Sequence, residues 1–579
     1  MNKLHYLTGA MVGSLSLTVL SAAPFTDTGS IYNQVKQNAQ RGIEKQQHPK
    51  YKTEKKSQIK LRSGHTVLVN GFKIIGNDEF SESEIKSVLS PFIGQILTTG
   101  DLHKAANALT EYYHKKGFYD ANVALIKPYI LQDGIIVLVV DEKHLEKDGI
   151  SVVNSKERIK TNKVQNLWDN IMKPGPMKQD KFERAILLTN DLPGISAKAD
   201  LYYGTDEKTD DLVITVTDEE VFNGNVDIDN YGSYYTGQAE VGTTLYWNSP
   251  SKNGEEIVAR FITTGKYSNY GYIDLAVPVF DNGMRIGISA DYLKYELDHQ
   301  KPGEGGDGSA WNVNVYAKYP FVRSEDLTIE GEMKYVHSII TDSNLTAEID
   351  DSQIDKGIFT LSGNKSDTFL LNGITYFSVS LTTGNLKLHN AQFASNDARI
   401  AKTAGNYAKA NFSLSRLQNL VADLSSKISL DGQWASKNLD TSEKYFLSGP
   451  YSAEAYPIGQ VAGDNAVRFY ADLRYDFYKM PWGGDFQLKA FYSYGWVQLL
   501  KDPDAYISYY GLDEKHNEMS LQSIGLGFSQ TWTDSVVLRA SVAKQVGSNE
   551  YREIPSNNNK DYDQSDSDYR VWVEAIYYW

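Results

Sequence analysis

The sequence of 579 residues contains no cysteine, which excludes disulfide bonds and thiolate-based metal or redox chemistry. Beyond its N-terminus it has no run of about 18 consecutive apolar residues, so no later segment is expected to cross a bilayer as a helix. Positive charge is in deficit, because the net charge is −15, and this argues against a nucleic-acid partner. No HExxH or GxSxG motif occurs, so neither a zinc-protease motif nor a nucleophile elbow indicates an enzyme.

Aromatic residues, by contrast, are abundant, with 39 Tyr and 9 Trp. The last ten residues, 570–579, alternate apolar with other side chains and stop at an aromatic residue. An exposed aromatic edge strand invites aggregation in a soluble protein. In a transmembrane β-barrel the last strand pairs with the first, so no edge remains. This segment therefore indicates an outer-membrane barrel of a Gram-negative cell.

The N-terminus predicts export. Lys3 precedes an apolar run from Leu7 to Leu20, and small residues follow at Ser21-Ala22-Ala23. A cationic start, a short apolar middle and small residues at the cut are typical of a secretory signal peptide, here residues 1–23.

A helix is predicted over residues 26–47. It has one narrow apolar stripe with a period of four residues, formed by Ile31, Val35, Ala39 and Ile43. Gly42 and several Gln and Asn residues make it weak as an independent helix. Residues 48–65 are rich in Lys and indicate a solvated linker.

Two compact units are predicted next, at residues 66–142 and 143–218. The first has the order β-α-α-β-β, with elements at Val67–Ile75, Ser81–Leu89, Asp101–Lys116, Ala121–Lys127 and Ile135–Val140. Ser81 and Glu84 have the spacing of a capping box, Asp101 is the expected cap of the second helix, and Asp133-Gly134 forms the final turn. This order and the string from Leu102 to Tyr119 resemble a POTRA domain.

The second unit repeats this order and carries a marker at residues 184–194. There a helix is expected to present Ile186, Leu187 and Leu188 to the sheet, before Pro193-Gly194 stops it. The marker resembles a stretch of the second POTRA domain in two-partner-secretion transporters, the TpsB family. Its signature residues are Leu187, Leu188, Asn190, Asp191, Leu192, Pro193 and Gly194.

Residues 219–579 predict a transmembrane antiparallel β-barrel. In Met284–Tyr292, Val467–Phe477 and Phe486–Trp496, apolar side chains alternate with polar ones. An apolar outer face and a lumen containing Arg and Asp suit a water-filled barrel. At about 22 residues per strand and turn, the region holds about 16 strands.

Two further strings resemble the TpsB family. The stretch from Asp229 to Gly237 is similar to the opening of the family's barrel. The stretch from Phe446 to Pro457 is similar to its loop between strands 11 and 12, which folds back into the lumen, here residues 441–466. The motif positions of this loop are Gly449, Pro450, Tyr451, Glu454, Ala455, Tyr456 and Pro457.

One position departs from the family pattern. The loop's usual Arg is Glu454, and the Asp expected on strand 13 is Ser493, two residues before Gly495. We expect the loop to remain in the lumen, with Glu454 accepting a hydrogen bond from Ser493 or pairing with Arg468 or Arg474.

Two other patterns suggest ligands only superficially. Residues 303–308 fit GxGxxG but lie between barrel strands with no following helix, so a loop is expected. The acidic run 561–568 lacks the Gly and terminal Glu of a calcium loop and is expected to be solvated.

The resemblance implies an outer-membrane pore whose POTRA domains, in the periplasm, recognise an unfolded partner exoprotein and which secretes it without ATP. The helix at residues 26–47 resembles the family's plug helix. No cofactor or metal is expected. The expected partners are a large secreted exoprotein, outer-membrane lipid and the barrel-assembly machinery, and the protein is expected to be a monomer. The alternatives are a BamA-like insertase and a ligand-gated import receptor.

Overall fold

The computed structural model describes residues 27–43, 66–118, 121–130, 132–142, 144–204, 209–297, 306–344, 348–510, 517–533, 535–554 and 557–579. The predicted signal peptide and linker lie outside these ranges. The first element is helix α1, Thr28–Ile43. Among the described residues, no helix is both long and apolar enough to cross a membrane.

The first unit has a small sheet covered by two helices. Its elements are β1 Thr66–Leu68, β2 Gly71–Ile75, α2 Glu82–Leu89, β3 Ile96–Thr98, α3 Thr99–Lys115, β4 Asn122–Ile130 and β5 Ile135–Asp141. The sheet order is β2-β5-β4, and β1 pairs separately with β3. Leu102, Leu109 and Tyr113 of α3 pack on Ile136 and Leu138 of the sheet. The strands β2 and β4 are the sheet edges.

Two local predictions for this unit need correction. The single strand expected at Val67–Ile75 is two strands, because the backbone changes partner at Val69 and Asn70, whose N–H groups bond to Gln95 and Gly134. Helix α3 is capped by Thr98, and Asp101 is the reciprocal third residue of that capping box. The capping box of Ser81 and Glu84 is confirmed. Asp133 and Gly134, with φ of 72° and 71°, form the expected turn.

The second unit has the same order of helices and strands, but it lacks a counterpart of the short first strand β1. Its elements are β6 His144–Asn154, α4 Thr161–Ile171, β7 Gly175–Pro176, α5 Gln179–Asn190, β8 Ile195–Tyr203 and β9 Thr209–Asp218. The sheet order is β7-β6-β9-β8. Trp168 of α4 is fully buried and donates a hydrogen bond to Thr189 of α5, which joins the two helices over the sheet.

The remainder of the chain forms a closed antiparallel barrel of 16 strands, as predicted. The barrel strands are β10 Phe222–Asp229, β11 Glu240–Asn248, β12 Glu256–Thr263, β13 Ser268–Val279, β14 Met284–Glu296, β15 Gly306–Arg323, β16 Leu327–Asn344, β17 Glu348–Asp367, β18 Gly373–Leu388, β19 Gly405–Val421, β20 Leu424–Ala435, β23 Asn465–Phe477, β24 Asp485–Gln498, β25 Glu518–Trp532, β26 Val536–Gln545 and β27 Tyr569–Tyr578. The connections contain β21 Tyr445–Phe446, β22 Ala462–Gly463, α6 Ala391–Arg399, α7 Asp504–Tyr510 and α8 Glu550–Glu553. The barrel closes where β27 pairs with β10.

The wall has the alternation that the sequence indicated. On β14, Ile288 and Tyr292 are 51% and 49% exposed, whereas Ser289 and Asp291 between them are each 5% exposed. Large apolar side chains therefore cover the outside, and polar ones face the lumen.

The two ends of the barrel differ. Most connections at one end are turns of two to seven residues, and the second unit packs against two of these turns and the end of β15. The longer connections, including residues 389–404, 436–464 and 546–568, lie at the opposite end.

Candidate functional site: an occupied barrel lumen

Helix α1 lies inside the barrel. Its predicted stripe residues Ile31, Val35 and Ala39 are 1%, 5% and 1% exposed. The side chain of Ile43, the fourth predicted stripe residue, lies outside the described residues. The stripe packs on inward-facing residues of nine successive strands, which include Ile262, Tyr270, Leu293, Ala310, Ile340, Ile354, Leu386, Tyr407 and Ala435. The helix therefore fills the half of the lumen bounded by β12 to β20.

The N-terminus of α1 is fixed to the wall by polar contacts. Asp342 of β16 accepts hydrogen bonds from the Thr28 backbone N–H (2.8 Å), the Thr28 hydroxyl and Tyr295. Gly308 makes room for this contact, because a Cβ atom there would lie 1.9 Å from the Thr28 Oγ1. The loop predicted for residues 303–308 is wrong at Gly306 and Gly308, which belong to β15. The small size of Gly308 allows α1 to pack against this strand.

Helix α1 also contacts the lumen loop, residues 441–466. The Thr441 hydroxyl lies 2.9 Å from both carboxylate oxygens of Asp27. The Asn33 side chain donates hydrogen bonds to the backbone oxygens of Ser442 (3.1 Å) and Lys444 (3.0 Å). The helix and the loop thus form one joined obstruction.

The lumen loop folds back as a short hairpin of β21 and β22 between strands 11 and 12 of the barrel. Glu443 is held between Lys356 of β17 and Lys409 of β19, on the same side of the wall as β20, from which the loop leaves. Lys444 pairs with Asp464 and donates a 2.7 Å hydrogen bond to the backbone oxygen of Leu499. Buried charges are retained when each has an opposite charge or hydrogen-bond donors, as here.

The motif positions of the loop lie in its most enclosed part. Gly449 has φ of 113°, a conformation that favours glycine, and it begins the turn that contains Pro450. The Tyr451 backbone oxygen accepts a hydrogen bond from Arg468. Ala455 and Tyr456 are fully buried, and Pro457 is buried beside them.

The predicted partners of Glu454 were wrong. Glu454 accepts a 2.9 Å hydrogen bond from Ser541 of β26 and lies 3.7 Å from Lys489 of β24. Ser493 instead pairs with the hydroxyl of Ser523 at 3.0 Å. Glu454 thus lies between a cation on β24, strand 13 of the barrel, and a hydroxyl on β26, strand 15. Ser493 already has a hydrogen-bond partner on β25, strand 14.

The two arginines suggested for Glu454 are engaged elsewhere. Arg468 pairs with Asp431 at 2.9 Å, and Arg474 pairs with Asp472 at 2.6 Å. Gly495 does contact the loop, because a Cβ there would lie 2.3 Å from Leu447.

The acidic run 561–568 is buried in its first part, Asp561 to Asp563, and exposed at Gln564 and at residues 566–568, as predicted for the whole run. Asp561 is 1% exposed and accepts hydrogen bonds from Arg552 (2.7 Å) and Arg570 (3.3 Å), while Asp563 pairs with Arg570. The prediction was wrong for this first part because its counter-charges lie outside the run. Tyr562 packs with the lumen loop in one apolar cluster.

Three segments meet at Gly459. A Cβ on this residue would lie 2.9 Å from the Gln34 side chain of α1 and 3.1 Å from the ring of Tyr562. Helix α1, the lumen loop and the connection 546–568 therefore close the lumen together at the end away from the two small units.

The marker of the second unit docks that unit on the barrel. Asp191 forms two 2.9 Å hydrogen bonds with Arg323 at the end of β15, and the Pro193 oxygen accepts one of 2.7 Å from Ser249. Leu192 touches the turn at Gly254, where a Cβ would lie 2.9 Å from it. The marker therefore joins this unit to the pore.

The other marker residues stabilise the unit itself. Leu188 is buried in the core and Ile186 packs at the core's edge, whereas Leu187 is half-buried outside it. Asn190 bonds to both the N–H and the oxygen of Ala197, and Gly194 has φ of 84°.

A family model for haemolysin secretion/activation proteins, ShlB/FhaC/HecB, matches residues 209–512, more than half of the chain. The chain belongs to this family. A model for the POTRA domain of ShlB type matches residues 67–142. The heme/hemopexin transporter protein HuxB of Haemophilus influenzae strain 86-028NP is 24% identical over 480 residues, 82% of each chain.

Solved structures have the same fold. CdiB from Escherichia coli superposes with a TM-score of 0.70 at 15% identity, covering 95% of this chain and 96% of its own. CdiB from Acinetobacter baumannii gives 0.64 at 15% identity, with 95% and 97% covered. The protein is an outer-membrane transporter of the two-partner-secretion type, with its POTRA units in the periplasm. Family membership favours secretion of a partner protein over barrel assembly or ligand-gated import.

The sequence reasoning missed several site residues: Lys356, Lys409, Lys489, Ser541, Asp342, Arg552 and Arg323. All but Arg552, which lies nine residues before its partner Asp561, belong to contacts between segments distant in sequence. Alternation could have assigned Lys356, Lys409, Lys489 and Asp342 to the lumen, but their partners depend on strand register.

Proposed function

We propose that the chain is a passive secretion pore that rests in a closed state and opens when its partner exoprotein enters. The observation that supports this most directly is the filling of a closed 16-strand barrel by two separate packed segments, α1 and the lumen loop. A pore that conducts an unfolded chain must clear this obstruction, and a resting pore must keep it to preserve the membrane barrier.

Capture of the exoprotein takes place at the periplasmic units. The strands β4 and β8 are sheet edges in the first and second unit. An extended peptide can add to such an edge as a further strand, with main-chain hydrogen bonds giving affinity without strict sequence requirements. The unfolded N-terminal domain of the exoprotein is the segment captured.

Transport uses no ATP and no enzymatic step. The periplasm provides no ATP, so folding of the exoprotein outside the cell supplies the free energy as the chain crosses as a hairpin. The protein acts as a monomer after the barrel-assembly machinery has inserted it.

The contacts of α1 suit a segment that leaves and returns. The helix has a narrow apolar face, and its polar side is held by hydrogen bonds, including those from Asn33 and Asn38, which water can replace. The glycine and polar residues of its sequence make it weak when released.

The test is single-channel conductance in planar bilayers. The intact protein should give small, flickering currents, and a variant lacking residues 26–47 should give large, steady ones. Val35→Asp, which places an unpaired carboxylate in the apolar contact, should have an intermediate effect. Equal currents from the intact and shortened proteins would show that α1 does not close the pore.

A further inference from the structure

A polar cluster lies on the lipid-facing side of the barrel, on β16 and β17. Ile354 and Val336 face the lumen, at 1% and 2% exposure, so the alternate residues Asp355 and His337 face outward. Their outward neighbours Met333 and Phe359 are 68% and 43% exposed, as expected for a bilayer-facing surface. The acid and the imidazole therefore lie on the membrane side.

The cluster is organised around one carboxylate. Asp355 accepts hydrogen bonds from Tyr335 (2.7 Å) and Gln353 (2.6 Å), and its Oδ1 lies 2.7 Å from the His337 Nδ1. Trp311 packs edge-on against the imidazole, with ring centroids 5.6 Å apart. The bond at Nδ1 leaves Nε2, on the far side of the ring, for a ligand.

The cluster marks the outer border of the apolar belt. On β15 to β17, the outward residues nearer the short turns are apolar, as at Val315, Met333 and Phe359. On β15 and β18, outward residues nearer the long connections are polar, as at Asp307 and Lys387. Ionisable groups on a lipid-facing surface are costly and mark functional positions, and these lie where the outward surface changes from apolar to polar.

An apolar groove begins directly below the cluster. It has a volume of about 1030 Å³, and its lining includes Met333, Tyr335, Gly357, Phe359, Leu381 and Trp434. Gly357 is central to it, because a Cβ there would have no atom within 4 Å. The small outward residues thus leave a depression in a surface otherwise covered by large side chains.

We propose that this face binds one glycolipid of the outer leaflet, with an acyl chain in the groove and headgroup hydroxyls on Asp355, Gln353 and His337. The apolar groove fits a hydrocarbon chain. A carboxylate, an amide and an imidazole beside an indole form a donor and acceptor set that matches hydroxyl groups. The Asp355 carboxylate repels a phosphate, so a hydroxyl-rich headgroup suits this cluster better than a simple phosphate ester.

The experiment measures lipid retained by the full-length protein in native mass spectrometry. Purified rough lipopolysaccharide is the glycolipid probe, and phosphatidylethanolamine is the comparison at equal concentration. Gly357→Leu fills the groove, and the pair His337→Gln with Asp355→Asn removes the headgroup contacts. Gly271→Leu is the matched control, because a Cβ at that outward glycine of β13 also has no atom within 4 Å.

The wild type and Gly271→Leu should retain one lipopolysaccharide in preference to phosphatidylethanolamine. Each test variant should retain about tenfold less, the factor that about 1.4 kcal/mol of lost contacts gives. Heat-modifiable gel mobility establishes that each barrel is folded. Equal retention by folded Gly357→Leu and wild type, or preference of the wild type for phosphatidylethanolamine, would overturn the proposal.

Discussion

At the scale of single residues, Glu454 stands in the lumen loop where the family resemblance leads us to expect an Arg. The carboxylate is buried in the lumen between Lys489 and Ser541. The backbone of Glu454 is also held, because the Trp572 indole N–H donates a 2.7 Å hydrogen bond to its carbonyl oxygen. A buried carboxylate needs such partners, so Lys489 serves here as the counter-charge.

Replacing Glu454 by Arg should loosen the lumen loop. Two cations about 4 Å apart repel by about 4 kcal/mol at an effective dielectric constant of 20. We expect more frequent and larger openings in single-channel recordings. Adding Lys489→Glu should restore the closed state, because the pair is then re-formed with the charges exchanged.

Ser493→Ala provides the control for this pair. It removes only the hydroxyl contact with Ser523 and should leave channel closure unchanged. If Glu454→Arg alone closed the channel more tightly than the wild type, the assignment of Lys489 as its partner would be wrong.

At the scale of elements, helix α3 of the first periplasmic unit shows how local sequence determines a boundary. Thr98 and Asp101 form a capping box, and Lys104 lies 2.7 Å from Asp101 one turn later. Hydrogen bonds from Lys104 and Thr98 lower the pKa of Asp101 to about 2. The helix therefore starts with an ionised acid at physiological pH, which also suits the positive end of its dipole.

This shift predicts a pH dependence. The pKa of Asp101 in the folded state is below the unfolded value of about 3.9, so its contribution to stability is present above pH 4. It is lost as the pH falls through about 2. Asp101→Asn should therefore lower the melting temperature of the helical signal at 222 nm at pH 6, and the difference from wild type should vanish near pH 2. A constant difference from pH 6 to pH 2 would contradict the assignment.

Elements with a local signal were predictable, and their contacts were not. The capping box at Ser81 and the turn at Asp133-Gly134 follow from adjacent residues, and both are present. The cap at Thr98 has the same four-residue signature and could have been found. The first part of the acidic run 561–568 was misread because burial there depends on Arg552 and Arg570, which the fold brings to it.

At the scale of the whole molecule, the periplasmic part is joined to the pore at the marker of the second unit. Arg158 and Arg184 donate hydrogen bonds to backbone oxygens of barrel turns, at Ser249 (2.8 Å) and Asn282 (3.2 Å). Together with the pair of Asp191 and Arg323, these contacts fix the sheet edge β8 in relation to the pore entrance. Alternation predicted the barrel and its strand number, but nothing local indicated this junction.

Reversing the charge of Asp191 should weaken the attachment of the second periplasmic unit to the barrel and so separate exoprotein capture from transport. In Asp191→Arg, two guanidinium groups face each other, and the unit should lose its fixed orientation. Secretion of the partner exoprotein should fall several-fold while single-channel conductance stays unchanged, because no lumen contact is altered. The exchanged pair Asp191→Arg with Arg323→Asp should recover secretion.

The control for this junction is Asp180→Arg. Asp180 is an exposed acid in the first turn of α5, the helix that ends next to Asp191. A protein with this substitution should secrete normally. If Asp191→Arg also secreted normally, the junction would not be required for transport.

The most direct test of the account is to tie helix α1 to the lumen loop. The chain has no cysteine, so Asn33→Cys with Ser442→Cys introduces a single thiol pair where the two segments touch. Surface appearance of the co-expressed exoprotein is measured under oxidising conditions and after reductant, with each single variant as a control. We predict that the disulfide-linked protein does not secrete and that reductant restores secretion. Full secretion by the linked protein would contradict the claim that the helix and the loop must separate for transport.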